Sequence, residues 1–588
     1  MRYPTLPVKS ASRDLVEVFK GYNHNLRISD GEFYDMKNIT SDHHPVLAPR
    51  SRRGLYASPE NTQGILAKDE LCYVDGSDFV IGDTRISMGL STDADMCPKK
   101  LTSMGAWVII LPDKKYINTQ KPEEYGDIDA QWEASEEVSF SLSTKDGENY
   151  KSVHYLTYEP EPPDEHGIPA VWVDMSAQPY SLRAYSAAAG GWIPITAYTK
   201  LSSTGIGTGF SQYDGVEVSG ILGSQREFLN GSKTLVHVEA DSIVLEGLYW
   251  GLTDPQKPED GVIRIERKMP EVDFLTESGN RLWGCRYGLA NNGEFVNEIY
   301  ASKLGDFKNW NAFQGISTDS YAASCGTDGP FTGAITLDGH PLFWKEGFLH
   351  KVYGSYPANF QIQDTACRGV QAGCGRSLAI VGERLYYKAR SGVCVYDGSL
   401  PVEISEALGN ERYGNAVAGS AGNKYYISME DTSGVWHLFV FDAEKGLWHR
   451  EDNFHSDGFC ELRGELYAID HGSRKILAML GSGEPTESGV SWMVQTGQMG
   501  LSMPDNKYIT RLNVRMALSL GTRVRFLIQY DSMGKWEHLF SMSGENMKSF
   551  TVPIRPRRCD HFRLRIEGTG EARIYSIAKT IEQGSDMR

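Results

Sequence analysis

Cysteine is scarce, with nine residues scattered through a chain of 588. The number is odd, and most lie inside apolar stretches (Cys72, Cys285, Cys394, Cys460), as reduced, buried thiols do. That pattern excludes a disulfide scaffold. Cys367 and Cys374 are the closest pair, but a gap of six residues with no histidine nearby is a poor zinc signature. No apolar run is long enough to span a bilayer. The opening residues Met1-Arg-Tyr-Pro-Thr-Leu-Pro-Val-Lys9 lack the apolar centre of a signal peptide, so the expectation is a chain made and folded in a cytoplasm. Positive charge is in deficit, 59 Lys plus Arg against 76 Asp plus Glu, a formal net charge of −17. Such a balance argues against an outer surface that wraps nucleic acid or holds anionic lipid. It also suits a channel wall to which DNA must not stick.

Catalytic signatures are missing as well. There is no Gly-x-Ser-x-Gly elbow, phosphate loop or His-Glu-x-x-His. Gly205-Ile-Gly-Thr-Gly209 mimics a dinucleotide loop, but it lacks the third glycine spacing and no helical pattern follows. His43-His44 sit on a proline-bearing stretch expected to be extended, where adjacent side chains point to opposite sides, so a solvated pair is expected and not a metal site. No catalytic, cofactor-binding or metal-ligating residue is assigned, no cofactor is expected, and the expectation is that the chain is not an enzyme.

What is present is a repeat. Gly279-Asn-Arg-Leu-Trp283, Gly339-His-Pro-Leu-Phe-Trp344, Gly382-Glu-Arg-Leu-Tyr-Tyr387, Gly422-Asn-Lys-Tyr-Tyr426 and Gly464-Glu-Leu-Tyr467 each place a glycine turn before an apolar-aromatic strand. The last four glycines are about 40 residues apart, the period of one four-stranded propeller blade. A small antiparallel sheet cannot bury both faces alone, whereas blades packed round an axis cover one another. Two looser copies precede them, Lys68-Asp-Glu-Leu-Cys-Tyr73 and Gly105-Ala-Trp-Val-Ile-Ile110. Sixty-one glycines and thirty tyrosines fit the same all-β reading. The expected fold is a β-propeller of six to seven blades with an inserted β-domain and a C-terminal β-sandwich.

In chain order, residues 1–54 read as a lead-in arm that lies across the surface or completes a blade edge, and 55–120 as the first blades. Arg50, Arg52 and Arg53 cluster in the arm, where local ion pairs are expected in preference to phosphate contacts. Residues 121–260 read as the insertion, opening with a charged linker from Thr119 to about Asp129 and carrying an exposed acidic loop, Tyr158-Glu-Pro-Glu-Pro-Pro-Asp164. Its strands are Val138–Ser143, Gly215–Gly220, Thr234–Glu239 and Ser242–Leu245, with a hairpin turn at Leu229-Asn-Gly231. The other blades occupy 261–482, and Gly481–Gly489 reads as a linker. From 487 to 584, alternation of Leu512, Val514, Met516 and Leu518, of Val524, Phe526, Ile528 and Tyr530, and of Phe562, Leu564 and Ile566 predicts the sandwich. Arg511, Arg515, Arg563 and Arg565 form its outward row, read as a solvated face in preference to an anion site.

Propellers include glycosidases, which need two carboxylates a set distance apart, a relation that spacing across blades does not reveal. The nearest stretch to a sialidase Asp-box, Ser302-Lys-Leu-Gly-Asp-Phe-Lys-Asn-Trp310, has the wrong spacing and does not recur. Glu383 and Glu465 stand at hairpin turns, where solvated charge is usual.

Three stretches resemble the propeller-containing tail nozzle and packaged-DNA-stabilisation proteins of short-tailed bacteriophages. They are Asp35-Met-Lys-Asn38 with Pro45-Val-Leu-Ala-Pro-Arg50; Gly279–Trp283 with Glu298-Ile-Tyr-Ala-Ser-Lys303, Gly305–Trp310 and Asp328-Gly-Pro-Phe-Thr-Gly333; and Pro556–Ile566 with Gly568–Ser576. The resemblance implies a virion structural protein, with a homo-oligomeric ring of about six copies below the portal and its adaptor. That ring would retain the packaged genome and conduct double-stranded DNA through its lumen without specific binding or membrane insertion. The alternatives are a tail module that binds a receptor or glycan through exposed tyrosines and tryptophans and, further off, a propeller glycosidase.

Overall fold

The computed structural model describes residues 11–94, 97–150, 155–163, 170–223, 228–248, 255–290, 293–503, 506–544 and 548–584. Among them the regular structure is strand, joined by short 3₁₀ turns. Asp164, at the end of the acidic loop, lies outside the described residues.

Six four-stranded antiparallel sheets follow one another at 62–87, 100–127, 274–324, 331–366, 379–403 and 413–450. A seventh comprises Ser456–Leu462, Glu465–Asp470 and Ile476–Ala478, with Gly54–Ala57 from the start of the chain and Glu484–Pro485 at its edge. We call these blades one to seven. The innermost strand of each touches that of the next, blade seven returning to blade one, and blade four reaches blade five through the turn Gly375–Ser377. The sheets therefore close a ring, the propeller expected from the repeat.

Each repeated Gly-x-x-aromatic stretch is the first hairpin of a blade and the strand after it. The five hairpin glycines from Gly279 to Gly464 have φ between 54° and 83°, a region barred to most side chains. The strand that follows is the most buried of its blade: Leu342, Phe343, Trp344 and Lys345 are enclosed, as are Leu385, Tyr386, Tyr387 and Lys388. Inner strands approach so closely that a Cβ on Gly419 would stand 2.4 Å from Phe459 Cβ of the next blade. Gly458 likewise faces Ile65 across the closure of blades seven and one.

Between blades two and three lies a seven-stranded sheet, in the order 130–133, 264–267, 215–219, 231–239, 242–246, 198–202 and 139–143, with a four-stranded sheet at 155–195 beside it. Its own core gathers Leu201, Val216, Leu235, Ile243 and Ile265. One clasp holds it to blade three. The Arg267 guanidinium pairs with Asp214 and donates to the Ile128 carbonyl at 3.0 and 3.1 Å. Asn309 then donates to Asp214 at 3.0 Å and accepts the Gly215 N–H at 2.7 Å. Asn309 belongs to the Ser302–Trp310 stretch, so that near-Asp-box is a structural corner. Buried Arg281 holds the rest of the loop, donating to the carbonyls of Ser302, Ser317 and Asp319.

The C-terminal part is a two-sheet sandwich, and here the lead-in differs most from a surface arm. Ala11–Val16 pairs with Ala572–Gln583, and Glu32–Lys37 pairs with Ser491–Thr496, so the first described residues are strands of the last domain. Phe19, Tyr22, Phe33 and Met36 join the sandwich core to the blade side chains Phe439 and Trp448 in one continuous cluster. Gly21 makes the approach possible: at φ 82° it has room for no Cβ, which would fall 2.4 Å from the Trp448 carbonyl oxygen.

The segment then crosses to the propeller under an ionic lock. Arg53 binds Glu451 at 2.8 Å and Asp452 at 2.9 Å, and Arg50 binds Glu487 at 2.9 Å, with both arginines buried. These are ion pairs, as expected, but between residues some 400 positions apart and not local ones. Three other expectations are corrected. Tyr125–Asp127 is the outer strand of blade two and not part of a linker, because its backbone pairs with Lys115–Ile117. Gly481–Gly489 is no free linker, since Glu484–Pro485 pairs with Gly54–Leu55 and Glu487 receives Arg50. His43-His44 occupy a turn and not an extended run, the His44 N–H donating to Ser41 and the Val46 N–H to His43.

Candidate axial binding site

A cleft of about 610 Å³ opens at the propeller axis, where the inner strands begin. It is built from the start of the inner strand of blade two, the approach to blade three and the turn before blade five. Pro98, Pro112, Pro270 and Val272 supply an apolar wall, and Lys100, Arg286 and Arg376 bring positive charge. Gly375 lets the walls close, since a Cβ there would stand 2.7 Å from the Phe274 ring.

The cations are not equivalent. Arg286 is neutralised by Asp273 at 2.7 Å, with Glu271 at 3.5 Å. Lys99, directly behind the cleft, is spent on buried Asp113 at 2.6 Å. Lys100 donates only to the Asp273 carbonyl and lies 4.5 Å above the centre of the Phe274 ring. Arg376 donates only to the Asp457 carbonyl, at 2.7 Å. Among the described residues, neither Lys100 nor Arg376 has a carboxylate within salt-bridge reach. Both are open to water at the cleft yet walled by protein. Burial accordingly pushes the Lys100 ammonium below its ordinary range, opposed by the Asp273 charge and reinforced more weakly by Arg376. Burial lowers Arg376 too, and Asp457 opposes the shift.

On the blade-seven side stand His455, Asp457 and His471, the described group whose composition could hold a metal ion. His471 Nδ1 is 2.9 Å from Asp457 Oδ1, and Arg474 takes the second oxygen. The His455 ring is sandwiched, 3.6 Å from Trp436 on one side and 3.9 Å from His471 on the other, both nearly parallel. Burial, then the neighbouring His471, pushes His455 down to about 4. Rings stacked this way aim their nitrogen lone pairs side by side, so an ion about 2.1 Å from both would require one ring to turn. His455 therefore serves as the middle ring of an aromatic stack, with Asp457 held by His471 and Arg474.

The sequence motifs contribute little here. Arg511 and Arg515 lie on one sheet of the sandwich, Arg563 and Arg565 on the other, so the expected row is divided. Arg565 donates to Gln495 at 2.6 Å and covers Trp536, and Arg563 lies over Tyr34. Glu465 is not merely solvated, since it accepts the N–H groups of Leu480 and Ser482 at 2.6 and 3.1 Å. Cys367 and Cys374 are free thiols. Sequence reasoning missed Lys100, Arg376 and Asp457. The available signal was positional, for these residues and Phe274 precede a hairpin glycine by five to seven residues, which places them where inner strands start.

No family model matches the chain, and no curated protein does. Among solved structures it is similar to an exo-β-1,3-galactanase from Phanerochaete chrysosporium in complex with galactose, at 10% identity and TM-score 0.21, over 52% of this chain and 94% of that one. It is also similar to an engineered GH43 glycoside hydrolase (9%, TM-score 0.20, 53% and 97%). A third is a Trypanosoma rangeli sialidase bound to a difluorinated sugar acid (9%, TM-score 0.18, 96% and 95%). These likenesses concern the fold alone. The expectation that the chain is not an enzyme is corrected: the solved structures named are glycoside hydrolases and a sialidase, and the expectation had rested only on missing motifs. An empty motif search is no ground for excluding catalysis on a fold that assembles its carboxylates from separate blades. What the sheets establish is an all-β propeller protein.

Proposed function

We propose that the chain is a tail structural protein of a tailed bacteriophage virion, one subunit of a ring in the nozzle or head-to-tail region. The observation that carries this reading is the lacing of the lead-in. Its first strands belong to the sandwich, its last strand completes blade seven, and Arg50 and Arg53 lock the crossing. Propeller and sandwich thus behave as one rigid block, which a load-bearing ring needs and a tethered adhesin does not. The three stretches that resemble nozzle proteins support the same reading, the first of them being this crossing itself. A net charge of −17 suits a wall along which DNA slides. Exposed Leu304, Phe313 and Ile316 on the loop beside the insertion clasp supply apolar surface for a neighbouring subunit.

The test is native mass spectrometry with negative-stain imaging of the purified chain, alone and with portal-adaptor complexes. The expected result is a closed ring of about six copies with a central hole, and Phe313→Asp should reduce its assembly. A chain that stays monomeric even on adaptor complexes overturns the proposal.

A further inference from the structure

We infer that the axial cleft binds an acidic saccharide, with the sugar's carboxylate held between Lys100 and Arg376 and its C–H face against Pro98, Pro112, Pro270 and Val272. This inference goes beyond the ring reading and stands without it. Two observations meet in it. The first is charge without a counter-charge: every other cation named at the cleft has a carboxylate, whereas these two have one backbone carbonyl each. Burial also leaves both cations short of solvation, which Asp273 and Asp457 offset only from outside salt-bridge distance, so an anion between them gains a direct partner for each.

The second observation is shape. About 610 Å³ lies within the usual range for small-ligand sites, roughly 300–1,000 Å³, and is far larger than one inorganic anion requires. Three prolines and a valine form a wall suited to the C–H face of a pyranose, which a free phosphate would leave uncovered. The lining comes mostly from strand ends and the turns beside them. An acidic sugar matches both halves of the site. The guanidinium can bind its carboxylate in two-pronged fashion and the ammonium as a point charge.

Isothermal titration calorimetry on the full chain tests this with trigalacturonate, a hyaluronan tetrasaccharide and sialyllactose, against neutral maltotriose and inorganic phosphate. At least one acidic saccharide should bind, more weakly as salt rises, while maltotriose and phosphate give no saturable heat. Lys100→Gln and Arg376→Gln should each weaken that binding about tenfold or more with an unchanged melting temperature. Arg376→Lys should restore part of it, because one prong of the contact returns. The inference is overturned if none of the three acidic saccharides binds, if maltotriose binds as well as they do, or if both glutamine variants bind like the parent. Ring assembly is read separately by native mass, so either proposal can fail without the other.

Discussion

Replacing Arg53 by methionine should open the seventh blade. The guanidinium is buried, paired with Glu451 at 2.8 Å and Asp452 at 2.9 Å, and lies 4.6 Å from the centre of the Phe454 ring. Breaking a buried pair from one side costs about 3–5 kcal/mol, because the abandoned carboxylates stay desolvated. The lower end applies, since Arg50 remains 3.4 Å from both Glu451 and Asp452. About 3 kcal/mol corresponds to a rise of roughly a hundredfold in the opening equilibrium. A chain of several domains need not unfold in one step, so the readout should be local. Hydrogen exchange should accelerate in peptides covering 54–57, 476–478 and 484–485 and stay unchanged in the insertion. Exposed Arg52→Met is the control and should alter nothing.

The pH dependence sharpens the same test. Asp452 and Glu487 are held below their ordinary values of 3.8 and 4.5 by Arg53 and Arg50, against the opposing effect of burial. Groups depressed on folding stabilise fully above their unfolded values and lose that contribution as pH falls through the folded ones. Parent and Arg53→Met should therefore differ at neutral pH, with the difference beginning to shrink at about pH 4 and vanishing only below the depressed folded values of Asp452 and Glu487. An increase under threefold at neutral pH, or a difference that does not shrink in acid, would refute the lock.

Other consequences can be checked by single substitutions. Gly419→Ala puts a methyl 2.4 Å from Phe459 Cβ, which is fixed to its backbone and cannot swing away. A loss of about 1–3 kcal/mol is expected in chemical denaturation. Asp214→Ala leaves the Arg267 guanidinium buried without its carboxylate and takes one acceptor from Asn309, which keeps Asp306 and Gly215. It should cost about 3 kcal/mol locally, seen as faster exchange at 215–219 and 264–267. His449 is kept neutral by burial, its pKa pushed down to about 3. The unfolded imidazole takes up a proton near 6.5 and the folded one does not, so stability is retained above that pH and falls below it, by up to about 1.4 kcal/mol per unit. His449→Leu should flatten the thermal stability profile between pH 6.5 and 4.

Blade hairpins were legible because one physical need recurs at each: a left-handed glycine, then a strand buried on both faces. Gly339 with Leu342–Trp344 and Gly382 with Leu385–Tyr387 show this in a few residues. The sandwich was legible from period-two alternation, as in Leu512, Val514 and Met516. Partners distant in sequence were not. Nothing local in Gly54-Leu-Tyr-Ala57 says that its neighbour is Ile476–Ala478, and Arg53 carries no mark of Glu451. The cleft was opaque for the same reason, because Lys100, Phe274 and Arg376 come from three blades and converge only when the ring closes. Glu465 shows a further limit, since its backbone partners at 480–482 leave no trace in residue type.

Seating Gly54–Ala57 beside Ile476–Ala478 also sets a clock. A nascent chain carries its closing strand unsatisfied until more than 400 further residues have been made, on the order of a minute at roughly 5–20 residues per second. During that interval the first strands of the sandwich wait as well, since Ala11–Val16 has no partner until Ala572–Gln583 emerges. Contacts of such sequence separation slow folding and leave strand edges open to the wrong chain. Where many copies are made at once, the nearest unpaired edge can belong to another copy. Exchange of the first fifty or so residues between copies is then the characteristic error of this fold, and slow synthesis or a chaperone that shields the leading strands should raise the yield of correctly closed molecules.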